Sequence, residues 1–433
     1  QSNLWFGSRS ELKAFGPQYG WGAVWADDTV ESGVPSDPYL LAGGQYGYKY
    51  RQLSIHHDQG EPVVFMAQTD ENGDGNWADW EAIEVPTGKT VVEILPNELN
   101  GEWIRLVPQS DCTASASFYY VTPREYPEGE ADLFNSLADI DEDCEVAGGI
   151  IRPAGHNRNL QWLFKKEWDS DGEYIEIDLN DELTGLDFGA AEEDRTEEIR
   201  TVAARHRNFA VDDASVIVKM RDGSRYRLPK GNAKYDDITL RDVREVQSER
   251  FLANIHGTFY EISRAGDNSS PGFDKIKPVA SHSKRIDDFC TWRGLLVMTG
   301  TRIGAEEDGH YFGDGSGRGL WFGKTDDLWK LGKPVGQGGP LKDTEVEAGV
   351  PSDPYLMNGF DKKKAELSHD ATEPVTFTLE LDFDRDLDFV PYQSITVPAG
   401  ETVTFELPEG VNAHWVRVVA DKPCKATAWF VYE

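Results

Sequence analysis

The chain has 433 residues, with 43 Lys plus Arg against 77 Asp plus Glu, and a formal net charge of −34. That acid excess excludes nucleic acid as a partner, because phosphate binding needs a basic footprint, and it disfavours attachment to anionic lipid by charge. With 13 Trp, 16 Tyr and 20 Phe there is apolar mass enough to fold, and no run approaches the ~20 consecutive apolar residues of a membrane-inserted helix.

Short apolar or alternating runs rich in Val, Thr, Tyr, Phe and Trp, punctuated by 42 Gly and 22 Pro, read as strands through most of the chain. In chain order, the first such stretch holds DENGDGNW, Asp70 to Trp77. Asp70, Asn72 and Asp74 at positions 1, 3 and 5, followed by Gly75, resemble the opening of a calcium loop. An acidic hairpin tip is the alternative, so a structural calcium is a candidate cofactor and none is required. The best helical stretch, Glu192–Arg207, is short. ERFLANIHGTFYEIS from Glu249 lines up with IDDFCTWRGLLVMTG from Ile286. Each reads as a strand, a turn at xG and a second strand, which puts His256 and Arg293 at equivalent turns. The last strands are VTFTLELDF from Val375, ETVTFELP from Glu401 and ATAWFVYE at the end. The four cysteines, Cys112, Cys144, Cys290 and Cys424, form no CxxC pair. Free thiols are expected, with Cys112–Cys144 as the one candidate disulfide.

The two ends are duplicated. LWFG at Leu4–Gly7 recurs at Leu320–Gly323, and VPSDPYL at Val34–Leu40 recurs at Val350–Leu356. Later matches shift register: HHDQGEPV from His56 with SHDATEPV from Ser368, EWIRLV from Glu102 with HWVRVV from His414, DCTASASFYY from Asp111 with PCKATAWFVY from Pro423. The first copy therefore carries four extra residues near Gly43–Tyr50. The division is 1–121 for copy 1, 122–319 for the centre and 320–433 for copy 2. Asp382, Asp384 and Asp386 repeat the calcium-like spacing without its Gly. A long period with several strands per copy predicts an all-β chain folded as a seven-bladed β-propeller. The alternative is a smaller propeller beside β-sandwiches made from the duplicated ends.

The charge is uneven. Arg195 to Arg293 holds 19 basic and 15 acidic residues, so a mildly basic island sits in an acidic shell. Within it VASHSKRIDDFCTWRG, Val279 to Gly294, reads as a charged inner strand, which needs a partner for its charges. That partner is a substrate carboxylate in one reading and an internal ring of Arg–Asp pairs in the other. On a strand His282 and Lys284 share a face and Arg285 takes the other. Asp287 and Asp288, being adjacent, cannot easily flank one glycosidic bond.

The phrases LWFGKTDDLWKLGKP, AGVPSDPYLM, NIHGTFYEIS and RIDDFCTWRGLL resemble a group of largely uncharacterised secreted β-propeller proteins of environmental bacteria. At fold level the chain is similar to propeller polysaccharide lyases that act on uronate glycans. The resemblance implies a secreted or periplasmic enzyme acting on an acidic polysaccharide by β-elimination. In that chemistry a cation on the uronate carboxylate acidifies the neighbouring proton and a base removes it. No catalytic assignment carries over from those lyases; the charge contrast and the charged strand point to His282 as base, with Lys284 and Arg285 on the carboxylate. Trp292, Arg293, His256, Tyr260 and Arg250 are the expected substrate-binding residues. A non-catalytic glycan-binding or assembly protein and a glycoside hydrolase remain as alternatives.

Overall fold

The computed structural model describes residues 18–42, 47–166, 170–180, 185–191, 193–205, 207–247, 250–264 and 271–433, without the side chains of Gln247, Arg250, Arg264 and Pro271. The Leu4–Gly7 phrase, the Gly43–Tyr46 part of the insertion and the side chain of Arg250 therefore lie outside the described residues. The chain divides into two units, one of Tyr126–Gly336 and one joining the residues up to Glu125 with Gln337–Glu433.

In the joined unit, copy 1 forms β1 (Tyr19–Val30), β2 (Tyr39–Leu40), β3 (Tyr50–His57), β4 (Val63–Asp70), β5 (Trp77–Val85), β6 (Val91–Ile94), β7 (Trp103–Pro108) and β8 (Cys112–Val121). They make two antiparallel sheets, β1-β8-β3-β6 and β2-β7-β4-β5. Alternate residues turn inward from both sheets, so Leu53, Ile55, Ala114 and Ala116 meet Phe65, Ala67, Ile104 and Leu106 in one core. Two four-stranded sheets with this order are a jelly roll.

The other unit carries β9 (Val146–Ala154), β10 (Asn159–Lys165), β11 (Glu173–Leu179), β12 (Leu186–Asp187), α1 (Thr196–Val202), β13 (Phe209–Val211), β14 (Val216–Lys219) and β15 (Arg225–Leu228). It continues with β16 (Val243–Gln247), β17 (Arg250–Ile255), β18 (Thr258–Arg264), β19 (Pro271–Ser281), β20 (Phe289–Trp292), β21 (Leu295–Met298), β22 (Thr301–Arg302), β23 (Tyr311–Gly313) and β24 (Gly319–Gly323). Neighbours in sequence pair as antiparallel meanders in β9 to β12 and β16 to β19, and a further antiparallel sheet runs β20-β21-β24-β23. The last of these sheets is covered on both sides. Phe289, Met298 and Trp321 pack with Phe259 and Leu252, while Cys290, Val297 and Phe322 pack with Ile151 and Trp162. The matched xG turns are equivalent: His256 and Gly257 have φ of 52° and 81°, Arg293 and Gly294 52° and 89°. Two successive positive φ values make a two-residue type I′ hairpin turn.

Copy 2 repeats the jelly roll with β25 (Gly336–Val346), β26 (Tyr355–Leu356), β27 (Lys363–His369), β28 (Val375–Asp382), β29 (Val390–Val397), β30 (Thr402–Glu406), β31 (Trp415–Ala420) and β32 (Cys424–Tyr432). Its sheets run β25-β32-β27-β30 and β26-β31-β28-β29. Loops at one end of this jelly roll sit on the outer face of β1-β8-β3-β6. Gln52 exchanges two hydrogen bonds with the Asn412 backbone at 2.6 and 2.8 Å, Tyr119 Oη–H donates to Asn358 Oδ1 at 3.0 Å, and Trp21 Nε1–H donates to Phe383 O at 2.9 Å.

The chain is all-β, as expected, but it forms no closed seven-bladed propeller. Blade arithmetic fails because each end copy pairs its first strand with its last, which folds the copy on itself. The Leu320–Gly323 phrase is β24, inside the Tyr126–Gly336 unit. All four cysteines are free.

Candidate functional site

The residues expected to form a catalytic centre lie in an irregular segment. Between β19 and β20 the chain makes only an isolated bridge from Lys284 to Asp139, so the alternation that would sort 282, 284 and 285 onto two faces does not operate. His282 packs its ring 5.2 Å from Phe259 and 6.3 Å from Tyr235. Its Nε2–H donates to Asn254 Oδ1 at 3.1 Å, and its Nδ1 accepts from the Lys284 N–H at 3.1 Å. Burial, helped by the Lys284 charge, lowers its pKa to about 3, so the ring is neutral with both nitrogens engaged. Lys284 Nζ pairs with Asp139 at 3.3 Å and Arg285 Nε with Asp287 at 3.2 Å.

The proposed substrate contacts are similarly committed. Trp292 is buried, with its indole in the packing between sheets, so it offers no stacking face. Arg293 binds the Arg158 carbonyl at 2.8 Å and Asp178 at 2.7 Å. Buried His256 accepts from the Gly231 N–H at 2.9 Å through Nδ1 and meets Asp236 at 2.9 Å through Nε2. Burial outweighs Asp236 and lowers its pKa. Tyr260 is fully buried, and burial pushes its phenol well up.

Asp287 and Asp288 explain much of the basic island. Asp288 is fully buried and takes Arg241 through both oxygens at 2.9 and 3.2 Å, with Arg244 at 3.6 Å. It also accepts from the Ile151 and Phe289 N–H groups at 3.1 and 2.8 Å. Asp287 accepts from the Gly149 N–H at 3.1 Å. The pair of carboxylates thus braces β9 to the Arg241–Arg244 strand entry and to β20. This is the internal Arg–Asp arrangement that stood as the alternative to a substrate carboxylate. Of the expected catalytic residues, Arg285 borders a cleft of about 710 Å³. The rest of its charged lining is Asp139, Glu142, Asp143, Glu145 and Asp237 against Lys166 and Lys234, an acidic rim unsuited to a uronate.

The two calcium-like turns differ. Asp70 Oδ1 accepts from the Asn72, Gly73 and Asp74 N–H groups at 3.3, 2.8 and 3.3 Å, and Oδ2 from Gly75 at 2.8 Å. Burial would raise this carboxyl, but those four donors hold it below the usual range. Asp70 therefore organises its own turn, and Asn72 and Asp74 are exposed beside it. In copy 2, Asp382 is also fully buried and accepts from the Arg385 N–H at 2.8 Å through Oδ1. Burial, with the charges of Asp384 and Asp386, pushes its carboxyl up to about 7.

No protein-family model matches the chain, and no curated protein does. Solved structures similar to it include the PBSX exported protein XepA, at 6% identity and TM-score 0.18, with 95% of this chain and 86% of that chain covered. A deletion mutant of Bacillus subtilis oxalate decarboxylase matches at 8% identity and TM-score 0.16, over 93% of this chain and 66% of that one. Vicilin from Corylus avellana (hazelnut) matches at 10% identity and TM-score 0.16, over 93% and 73%. Scores this low carry no argument. The expected likeness to propeller polysaccharide lyases is corrected by the strand order, which in both end copies is that of jelly rolls and closes no propeller.

A second surface was missed by the sequence reading. On the outer face of β2-β7-β4-β5, register places Gln68 between Arg105 and Asp79, and Asp70 between Trp103 and Trp77. Arg105 Nε–H donates to Gln68 Oε1 at 2.8 Å, and Gln68 Nε2–H donates to Asp79 Oδ1 at 2.7 Å. The Arg105 guanidinium stacks 4.2 Å from the Trp77 ring, and Trp103 beside it is 37% exposed. Copy 2 keeps the device as Arg417, Glu380 and Phe389, at 2.5 Å and 4.4 Å, but its Trp415 is buried. The signal was present in EWIRLV, where Trp103 and Arg105 alternate outward. No helix among the described residues is long and apolar enough to cross a membrane.

Proposed function

We propose that the chain is a non-catalytic glycan-binding protein whose contact surface is the outer face of β2-β7-β4-β5. The observation that carries this reading is the exposed Trp103 beside a row of fixed polar groups, Arg105, Gln68 and Asp79. A flat aromatic face stacks on the apolar side of a sugar ring, and the neighbouring amide and guanidinium meet its hydroxyls. Both donors and acceptors are present, with exposed Asp79, Glu81 and Glu84 on the same strand. That mixture suits an uncharged saccharide better than a polyuronate. The engagement of His282, Lys284 and Arg285 by internal partners supports binding over catalysis.

Calorimetry with neutral and uronate oligosaccharides tests the proposal. Trp103→Ala is expected to weaken binding by about ten-fold or more, ~1.4 kcal/mol, with unchanged thermal unfolding. Uronate glycans are expected to yield no unsaturated product by absorbance. Unchanged affinity in Trp103→Ala, or appearance of product, overturns it.

A further inference from the structure

Asp382, Asp384 and Asp386 each place a carboxylate oxygen within 4.8 Å of those of the other two. Asp382 ends β28, while Asp384 and Asp386 belong to the turn that leads to β29. We propose that this turn of the second jelly roll is a calcium-binding site, with the three aspartates as its protein ligands.

One feature beyond the cluster itself points to a ligand. Asp382 is fully buried, and its Oδ2 has no hydrogen-bond partner. A buried carboxylate oxygen left without a donor is costly, and a hard cation supplies what the donors of the matched turn supply to Asp70. The two turns differ in their acids. In copy 1 the chain passes through Gly73 and Gly75 at φ of 70° and 84°, which aims four N–H groups at Asp70. In copy 2 the corresponding turn has Arg385 and Leu387 at φ of 64° and 71°, and Asp384 and Asp388 stand where copy 1 has Asn72 and Asn76. Asp388 and, from the first jelly roll, Asp27 add to the negative field. Arg385, in the same turn, directs Nη1 to the Tyr19 hydroxyl at 2.8 Å and lies 5.2 Å over the Trp21 ring. All-oxygen ligation by carboxylates, completed by water, is the chemistry of Ca²⁺, which tolerates irregular geometry and variable ligand number.

Trp21 provides a reporter, because its indole donates to the carbonyl of Phe383, between two of the ligands. The test uses the full chain stripped with chelator. Tb³⁺ is added with excitation through tryptophan, and Ca²⁺ is then added as competitor. The expected result is sensitised luminescence that Ca²⁺ displaces. Asp384→Asn combined with Asp386→Asn should weaken it about ten-fold or more. Asp74→Asn, in the matched turn of copy 1, should leave it unchanged. The double variant should also melt higher than the wild type without calcium, since it relieves repulsion, and should lose the calcium-induced rise in melting temperature. Absence of sensitised luminescence in the wild type, or equal calcium affinity in wild type and double variant, overturns the site.

Discussion

Asp288 holds one guanidinium through both oxygens and two backbone N–H groups while fully buried. Replacing it strands Arg241 and Arg244 in the interior. Asp288→Asn is therefore expected to cost ~3–5 kcal/mol of unfolding free energy, read from denaturant midpoints. A change below ~1 kcal/mol would show that water reaches these cations. His282 sets a pH dependence. Its pKa falls from 6.5 to about 3 on folding, so between those values the unfolded chain takes up a proton that the folded chain refuses. Stability relative to His282→Asn should fall as pH drops through that window and stay level above it. A difference flat from pH 4 to 8 would contradict the buried neutral ring. The duplicated histidines could be understood from sequence. His57 and His369 both contact a strand carbonyl, Val85 at 2.8 Å and Val397 at 2.9 Å, and both accept an N–H two residues on. The role of His282 could not, because the strand periodicity used to aim it requires a strand that is absent there.

At the scale of elements, the hairpins were legible and the sheets were not. A two-residue xG turn is a local signal, and the match of His256 with Arg293 holds to within a degree of φ. Pairing β1 with β8 spans almost a whole copy, and no local pattern encodes it. Meander and jelly roll therefore read alike from strand spacing. The turns give a paired prediction. Gly223 has φ of 93° with open space around it, so Gly223→Ala should cost only the ~1–2 kcal/mol of a left-handed residue. At Gly257, φ 81°, an added Cβ would stand 2.6 Å from the Tyr235 ring and 2.9 Å from the His282 carbonyl. Gly257→Ala should lower the melting temperature distinctly more than Gly223→Ala. Equal losses would mean that the ring moves aside freely.

For the whole molecule, the charge of −34 is now placed differently. Many cations of the basic island are spent on internal pairs, such as Arg227 with Asp212 at 2.8 Å and Arg241 with Asp288 at 2.9 Å. The surplus acid is left to repel itself. Raising ionic strength from about 0.01 to about 0.15 M shortens the Debye length to ~8 Å, so the melting temperature should rise with sodium chloride. A fall would indicate that attractive surface pairs dominate.

The seating of the second jelly roll on the first has a consequence for how the duplicates could have diverged. Their sheets match position by position: Gln52 opposite Tyr119 and Ser54 opposite Ser117 in one, Lys364 opposite Val431 and Glu366 opposite Trp429 in the other. The first set is buried by the docked loops and the second is half-exposed. Drift at these sites is thus asymmetric: one copy can accept a charge where its twin cannot. The halves have ceased to be interchangeable, and a gene with their order reversed would press Lys364 and Glu366 into a space shaped for Gln52 and Ser54.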